Sequence, residues 1–169
     1  MRYSFRLWQE RTGWVKLTSY ILVALSRVNG LTDRVLVQPG HSPPIRAVRE
    51  FVVSRVIGER EIIFDSGAAL SAIYHLRHSE SEQNAEFRFR VTIKYYYRTE
   101  EGRVVTLRYD RYELTLRGGK EGVSLEVQKL SGLARTDPLA LVQIILDEAQ
   151  AASGIPRPIN VSLERSDTP

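Results

Sequence analysis

The stretch from Glu86 to Leu130 constrains the fold most, because its apolar and polar residues alternate almost without interruption. Successive side chains of a β-strand point to opposite faces of the sheet, so this alternation predicts strands with one buried face. On the first strand, the odd positions from 87 to 97 are all aromatic or aliphatic. The even positions, which form a basic face, carry Arg88, Arg90, Thr92, Lys94, Tyr96 and Arg98.

The second strand changes the parity of its apolar residues part-way along. These residues are odd-numbered up to Tyr109 and even-numbered from Tyr112 onward. A shift by one residue predicts a β-bulge, here at Asp110 and Arg111, where two residues oppose one on the neighbouring strand. A three-residue turn at 100–102 is expected to close this hairpin, with its glycine in the left-handed conformation.

The register that follows from this turn pairs apolar residues with apolar residues across the hairpin. On the basic face it places Arg90 beside Glu113, and Lys94 beside Arg108. Two cations directly opposite each other repel unless an anion lies over them. The pairing of Lys94 with Arg108 therefore favours a surface that binds anions.

A third strand is predicted after the Gly118-Gly119 dipeptide, which suits a two-residue hairpin turn. Pairing across that turn would place Val123 beside Leu114 and continue the apolar face. Acidic residues increase on this strand, so the positive charge of the polar face is densest on the first strand.

Three other segments have the apolar spacing of helices. The first spans residues 14–28, the second follows Asp65 or Ser66 as the capping residue, and the third begins at Pro138 after a Thr-Asp pair. The positions expected to face inward on the second helix are Leu70, Ile73 and Leu76.

These elements predict an α+β fold: an antiparallel sheet of about five to seven strands, with long hairpins at 86–130, backed by three helices on one face. A chain of 169 residues suits one domain. We expect that domain to span residues 1–159. The low apolar content of residues 160–169 predicts a mobile C-terminal tail.

The composition restricts the classes of function. The chain has no cysteine, which excludes disulfides and cysteine-ligated metals, and no apolar run long enough to span a membrane. We therefore expect a cytoplasmic protein without a membrane role. Of its 24 basic residues 20 are arginines, and the net charge is +4. This excess of arginine suits phosphate recognition, and it equally suits the composition of a protein from a heat-loving source.

A local motif, IIFDSGAALSAI at residues 62–73, resembles the active-site stretch of retropepsin-like aspartic proteases. The resemblance implies that Asp65 is a catalytic carboxylate supported by Ser66 and Gly67. Such chemistry needs two aspartates, so a homodimer would be required. The alternative is that Asp65 and Ser66 simply cap the second helix.

No cofactor and no metal site is predicted, because His75 and His78 have no third ligand nearby in the sequence and no nucleotide-binding motif is present. The leading hypothesis is a non-enzymatic protein that prefers single-stranded DNA or RNA. Cations for phosphates and an aromatic ring for bases are what such binding requires. A structural or assembly subunit, including a homo-oligomer, is the alternative. The predicted nucleic-acid-binding residues are Arg88, Arg90, Lys94, Tyr96, Arg98 and Arg108.

Overall fold

The computed structural model describes residues 1–78, 83–154 and 156–167 of the chain. Residues 79–84, whose polar composition (SESEQN) predicts a linker before the main sheet, lie mostly outside the described residues. The elements in chain order are β1 (Arg2–Gln9), α1 (Trp14–Val28), β2 (Thr32–Val37), β3 (Ile45–Ile57), β4 (Arg60–Ile63), α2 (Ser66–His78), β5 (Asn84–Arg98), β6 (Val104–Thr106), β7 (Asp110–Gly119), β8 (Gly122–Ser131), α3 (Pro138–Ser153) and β9 (Ile159–Asp167).

The described strands form one antiparallel sheet of order β2-β3-β5-β7-β8-β1-β9. Two short strands complete it, since β4 pairs with the end of β3 and β6 pairs with the end of β5. The predicted α+β class, antiparallel sheet and three helices are confirmed. The main path has seven strands, and β4 and β6 bring the described sheet to nine.

The helices pack on one face of the sheet because that face is apolar. Helix α1 contacts both α2 and α3 and packs on β3, β7 and β8. Neighbouring strands each contribute fully buried side chains to this core, among them Phe51, Phe89, Leu114 and Leu125. Burial of one such side chain contributes roughly 1.5–3 kcal/mol. The opposite face, called the outer face below, carries the polar residues of the strands.

The parity shift in the second long strand is present, but its position differs from the prediction. Val91 pairs with Tyr112 as expected. The bulge predicted at Asp110 and Arg111 is wrong for the hairpin with β5, because both residues pair regularly with that strand. The register with β8 does shift between Arg111 and Tyr112. The extra residue falls in 107–109, between β6 and β7, where the chain leaves regular strand structure. Strand β7 begins at Asp110 because the carboxylate of this residue is buried and hydrogen-bonded on the helix side.

The turn between β7 and β8 lies at Lys120-Glu121, so the prediction of a Gly118-Gly119 turn is wrong. Leu114 consequently pairs with Val127 rather than with Val123. The register differs from the prediction by four residues, an even number. Every side chain therefore keeps its predicted face.

Gly118 serves a packing role inside β7. A Cβ atom at this position would come within 2.5 Å of Thr18 Oγ1 and 3.0 Å of the Trp14 ring, both on α1. The absence of a side chain lets α1 approach the sheet closely. This requirement depends on a tertiary contact, which explains why the local sequence suggested a turn instead.

Helix α2 begins as predicted, and of its expected inward positions Leu76 is buried and Ile73 is partly buried against the core, but Leu70 is not. The buried positions are Ala69, Ala72 and Leu76. Leu70, which was expected to face inward, is 69% exposed. Two alanines on the buried side allow α2 to lie close to α1, so the larger leucine is left on the surface.

The segment from Asn160 forms most of β9, although its composition predicted a mobile tail. Strand β9 pairs with β1 from Ile159 to Asp167, with a register shift that leaves Glu164 unpaired. Backbone hydrogen bonds place this segment, so it needs few apolar side chains. Residues 168 and 169 lie outside the described part. None of the described helices is long and apolar enough to cross a membrane.

Candidate nucleic-acid interface

Strand β5, the third of the seven strands on the main path of the sheet, carries all but one of the predicted nucleic-acid-binding residues. Its odd positions from 87 to 95 are buried under the helices, so its even positions point outward. From Arg88 to Arg98 these side chains are spread over about 33 Å at ~3.3 Å per residue. The structure divides them into two regions with different surroundings.

The first region, called the paired region, comprises Arg88 and Arg90 with their carboxylate partners. Arg88 Nη2 lies 2.8 Å from Glu113 Oε1, and Arg90 Nη1 lies 3.0 Å from Glu61 Oε1. A second Arg90 nitrogen, Nη2, lies 3.9 Å from Glu113 Oε2. The hydrogen bond and the charge of Glu113 raise the pKa of the Arg88 guanidinium. These two arginines are therefore already neutralised by protein groups.

Ion pairs continue from the paired region toward β9. Arg117 contacts both Glu86 and Glu126, at 2.9 Å and 3.2 Å. Arg2 pairs with Glu126 and Arg6 pairs with Glu164, at 3.4 Å and 3.6 Å. Five strands of the outer face thus carry interleaved charges of both signs, which suits a solvated surface better than a phosphate-binding one.

The second region, called the patch, lies at the other end of the outer face. It comprises Lys94, Tyr96 and Arg98 of β5 together with neighbours on β2, β3 and β6. Within the described part of the chain, neither Lys94 nor Arg98 lies within 4.0 Å of a carboxylate. Lys94 Nζ lies instead 5.9 Å from the centre of the Tyr109 ring.

Two arginines that the sequence did not single out complete the patch. Arg34 of β2 pairs with Val48, which pairs in turn with Tyr96, so all three share the outer face. Arg46 lies two residues before Val48, on the same face, and pairs with Leu36. Neither arginine makes an ion pair with a described carboxylate. Only the pairing of β2, β3 and β5 brings them onto the same part of the outer face as Tyr96.

The patch alternates cations with apolar groups. The row through Tyr96 reads Arg34, Val48, Tyr96, Thr106 from β2 to β6. In the next row, Leu36, which is 72% exposed, pairs with Arg46, and Val104, which is 52% exposed, pairs with Arg98. Glu50 opposes Lys94 within these strands, and the exposed turn after Arg98 adds Glu100 and Glu101 at the rim. The patch therefore combines apolar side chains with four cations, Arg34, Arg46, Lys94 and Arg98, and one carboxylate among them, that of Glu50.

Arg108 belongs to neither a strand nor the predicted pair. It is exposed in the irregular segment 107–109, and its carbonyl oxygen accepts a hydrogen bond of 3.3 Å from Arg135. The predicted ladder position opposite Lys94 is wrong, because the β5–β7 ladder ends at Ile93 and Asp110 and the β5–β6 ladder begins at Tyr96 and Thr106, so that Arg108 lies outside both. Arg108 remains one further cation near the patch by its position in the chain between β6 and Asp110.

No family model, curated protein or solved structure matches this chain. Its chemistry is therefore inferred from the surface itself. Aromatic and aliphatic groups among cations without ionic partners form a surface that suits an anion with apolar faces. Phosphates and bases supply these two features in a nucleic acid strand.

Asp65 lies at the start of α2, where it caps the helix. Its Oδ1 accepts a hydrogen bond of 2.9 Å from the Ala68 amide, and its carbonyl accepts from the Ala69 amide at 3.0 Å. These contacts are those of an N-cap residue, which confirms the capping prediction. The aspartic protease stays an untested prediction, and no feature of this carboxylate favours it.

The described residues contain no group of three or more His, Asp or Glu side chains that could hold a metal ion. His78 lies on α2 with its Nδ1 2.8 Å from the Tyr74 carbonyl oxygen, and its ring lies over that of Tyr74 at a centroid distance of 4.0 Å. These contacts give His78 a local role at the end of α2.

Proposed function

We propose that this is a non-enzymatic, cytoplasmic protein that binds single-stranded DNA or RNA through the patch. The observation that carries the proposal is the placement of Arg34, Arg46, Lys94 and Arg98, none of which lies within 4.0 Å of a described carboxylate, on the same sheet face as Tyr96. Arg88 and Arg90, which the sequence also suggested, contribute little to the proposed site because Glu113 and Glu61 already neutralise them.

The dimensions of the patch suit a short length of strand. Four strands at ~4.8 Å spacing span about 14 Å, and the five residues from Lys94 to Arg98 span about 13 Å. A surface of this size can contact only a few consecutive nucleotides. Affinity should therefore rise with oligonucleotide length and level off at a short site size, near the lower end of the roughly 4–16 nucleotides typical of single-strand binders.

Tyr96 gives the reason for preferring single strands. A tyrosine ring on a sheet face can stack on a base only if that base is turned out of its helix, and the unstacking costs a duplex a few kcal/mol. A single strand presents its bases without that cost. Duplexes should bind more weakly, through phosphate contacts alone.

Fluorescence anisotropy with labelled single-stranded DNA, single-stranded RNA and duplex tests the proposal. Four phosphate contacts on a single strand predict that log K falls with log salt with a slope of about −2.8. Affinity should therefore drop roughly fiftyfold between about 50 and 200 mM salt. Equal affinity for duplex and single strand, or no binding at low salt, would contradict the proposed function.

A second candidate function, assembly with another protein subunit, is favoured by an apolar surface on β3, β4 and α2. Four large apolar side chains on the helix side of β3 and β4 and on α2 are about half exposed or more, namely Ile57, Ile62, Leu70 and Tyr74. Self-association through this surface should persist at high salt, since burial of apolar area does not depend on charge. Light scattering at low salt and at about 1 M salt checks it, and a monomer at both would exclude a homo-oligomer.

A further inference from the structure

Directly beneath the patch, on the helix side of the same strands, lies a network of polar side chains that is buried at Tyr95, Asp110 and Thr136 and ends at the exposed Asp33. Its members alternate along the chain with patch residues: Asp33 precedes Arg34, and Tyr95 lies between Lys94 and Tyr96. Adjacent strand residues point to opposite faces, so the network and the patch lie on two sides of one layer of backbone. Whatever fixes the network also fixes the backbone that presents the patch.

The centre of the network is the carboxylate of Asp110, which is fully buried. Its Oδ2 accepts hydrogen bonds from the Tyr95 hydroxyl at 2.7 Å and from the Thr136 amide at 3.2 Å. Its Oδ1 accepts one from the Ala134 amide at 2.8 Å. Three donors compensate the burial of a carboxylate, which without them would cost several kcal/mol. Asp110 thus joins β5, β7 and the connection between β8 and α3.

The hydrogen bonds of the network run in one direction. Because Tyr95 donates its hydroxyl proton to Asp110, the Thr136 hydroxyl, 2.7 Å away, must donate to the Tyr95 oxygen. Thr136 Oγ1 in turn accepts from Arg49 Nη1 at 3.0 Å, and the rest of the Arg49 guanidinium binds Asp33 of β2. Hydrogen bonds in such a chain strengthen one another. The network therefore extends from Asp110 to the edge strand that carries Arg34.

The network lies where the sheet ladder is interrupted. The β5–β7 ladder ends at Ile93 and Asp110, and the β5–β6 ladder begins at Tyr96 and Thr106. Across residues 107–109 the backbone of β5 keeps one hydrogen bond on this side, from the Leu107 amide to the Tyr95 carbonyl. Side-chain hydrogen bonds from Tyr95 to Asp110 replace part of the missing ladder. They hold β5 at the two residues, Lys94 and Tyr96, that present the patch.

We propose that Asp110, acting through Tyr95, is a positioning residue of the patch, an inference that rests on the proposed function. Asp110 touches no ligand. It holds the backbone on which Lys94 and Tyr96 stand at the spacing that one strand of nucleic acid requires. Loss of the network should weaken binding although every patch side chain is still present.

The test compares Tyr95→Phe and Asp110→Asn with the control Thr18→Val. Tyr95→Phe removes only the hydroxyl. In Asp110→Asn, either orientation of the carboxamide turns its NH₂ group toward a backbone N–H, and two donors cannot form a hydrogen bond with each other. The Thr18 hydroxyl is equally buried but bonds within α1, to the Trp14 carbonyl. Both network variants should bind single-stranded oligonucleotide at least about twofold more weakly, and the control should bind as the unmodified protein does.

A double-mutant cycle with Lys94→Ala separates positioning from a general loss of stability. If Asp110 positions Lys94, Lys94→Ala should reduce the affinity of the Asp110→Asn variant by a smaller factor than it reduces that of the unmodified protein. Equal factors, with both variants folded by circular dichroism, would overturn the proposal. If Asp110→Asn does not fold, Tyr95→Phe takes its place in the cycle.

Amide hydrogen exchange of residues 94–98 provides a measurement that needs no ligand. Exchange there should be faster in Tyr95→Phe and unchanged in Thr18→Val, whereas equal exchange in both would overturn the positioning role. If the unmodified protein bound no oligonucleotide, the proposed function would fail. The exchange comparison would still decide whether Asp110 and Tyr95 fix the backbone under the patch.

Discussion

Arg88 and Lys94 lie six residues apart on the same face of the same strand, yet their surroundings are opposite. Arg88 lies 2.8 Å from the carboxylate of Glu113, whereas no described carboxylate lies within 4.0 Å of Lys94. By sequence parity the two cations look equivalent. Glu50 opposes Lys94 across the strands but does not come within 4.0 Å of it, whereas Glu113 reaches Arg88 from a diagonal position. Contact with a carboxylate, and not the face of a basic residue alone, therefore decides whether its charge remains available to a ligand.

The two regions also differ in how their backbone is held. Under the paired region, β5 and β7 form an uninterrupted ladder from Asn84 to Ile93. Under the patch, the ladder is broken at 107–109, and buried side chains around Asp110 take over part of its role. The patch should therefore be the more sensitive of the two regions to substitutions in the interior.

The largest expected effect of such a substitution is that of Gly132→Ala. Gly132 has φ of +105°, and a Cβ there would overlap Asp110 Oδ1 and come within 2.5 Å of the Tyr109 carbonyl oxygen. Backbone strain and overpacking together should lower the free energy of unfolding by roughly 2–5 kcal/mol. Urea denaturation measures this, with Gly67→Ala in the first turn of α2 as a control expected to be neutral or stabilising. A loss below about 1 kcal/mol for Gly132→Ala would contradict the packing described.

High pH should lower the stability of the folded protein through the buried hydroxyls of Tyr95 and Tyr112. Burial raises the pKa of both hydroxyls well above the ordinary value for tyrosine, with the nearby Asp110 charge acting in the same direction. The folded state therefore keeps protons that the unfolded chain releases above pH ~10. The free energy of unfolding should fall as pH rises above that value, by about 1.4 kcal/mol per pH unit for each tyrosine. Denaturation curves between about pH 9 and 11 check this. The slope should be shallower in Tyr112→Phe, and an unchanged slope would exclude the assignment.

Tyr96→Ala should weaken single-strand binding without altering its salt dependence. The ring supplies stacking and no charge, so its loss should cost ~1–3 kcal/mol of binding free energy at every salt concentration. Tyr96→Phe keeps the ring and should bind nearly as the unmodified protein does. Anisotropy titrations at two salt concentrations measure both variants. A changed salt slope for Tyr96→Ala would mean that the substitution disturbs the cations around it.

Glu113→Gln should convert part of the paired region into binding surface, with the smallest of these effects. The substitution removes the ion pair of Arg88 and one of the two carboxylate contacts of Arg90. Affinity for a longer single strand should therefore rise by about two- to fivefold, and the slope of log K against log salt should steepen by up to ~0.7 per freed cation. Glu121→Gln, in the β7–β8 turn, changes the net charge equally and serves as the control. If both variants gained affinity equally, total charge would explain binding better than the local pairing.

Much of the fold could be predicted because alternation along a strand is a local property. The faces of β5, β7 and β8 follow from it, and they survive even the four-residue error in the register of β7 with β8. The errors arise where a distant element decides. Gly118 looks like a turn residue until α1 is packed on it, and Leu70 looks buried until Ala69 and Ala72 bring α2 against α1.

The candidate site could be predicted in part for the same reason. Lys94, Tyr96 and Arg98 are visible from parity, but Arg34 and Arg46 join them only through the pairing of β2, β3 and β5. The sequence register already placed Arg90 beside Glu113. The charge compensation of Arg90 by Glu61 depends on β4, which lies far from β5 in sequence.

The most direct test of the difference between the two regions uses two double variants with the same net charge. Lys94→Ala/Arg98→Ala removes two cations from the patch, and Arg88→Ala/Arg90→Ala removes two from the paired region. Single-strand affinity is measured by anisotropy from about 50 to 200 mM salt. The patch variant should lose roughly tenfold in affinity at low salt and flatten the slope by about 1.4, while the paired variant should stay within about threefold of the unmodified protein. Equal losses in the two variants would contradict the account, because binding would then follow net charge and not the patch.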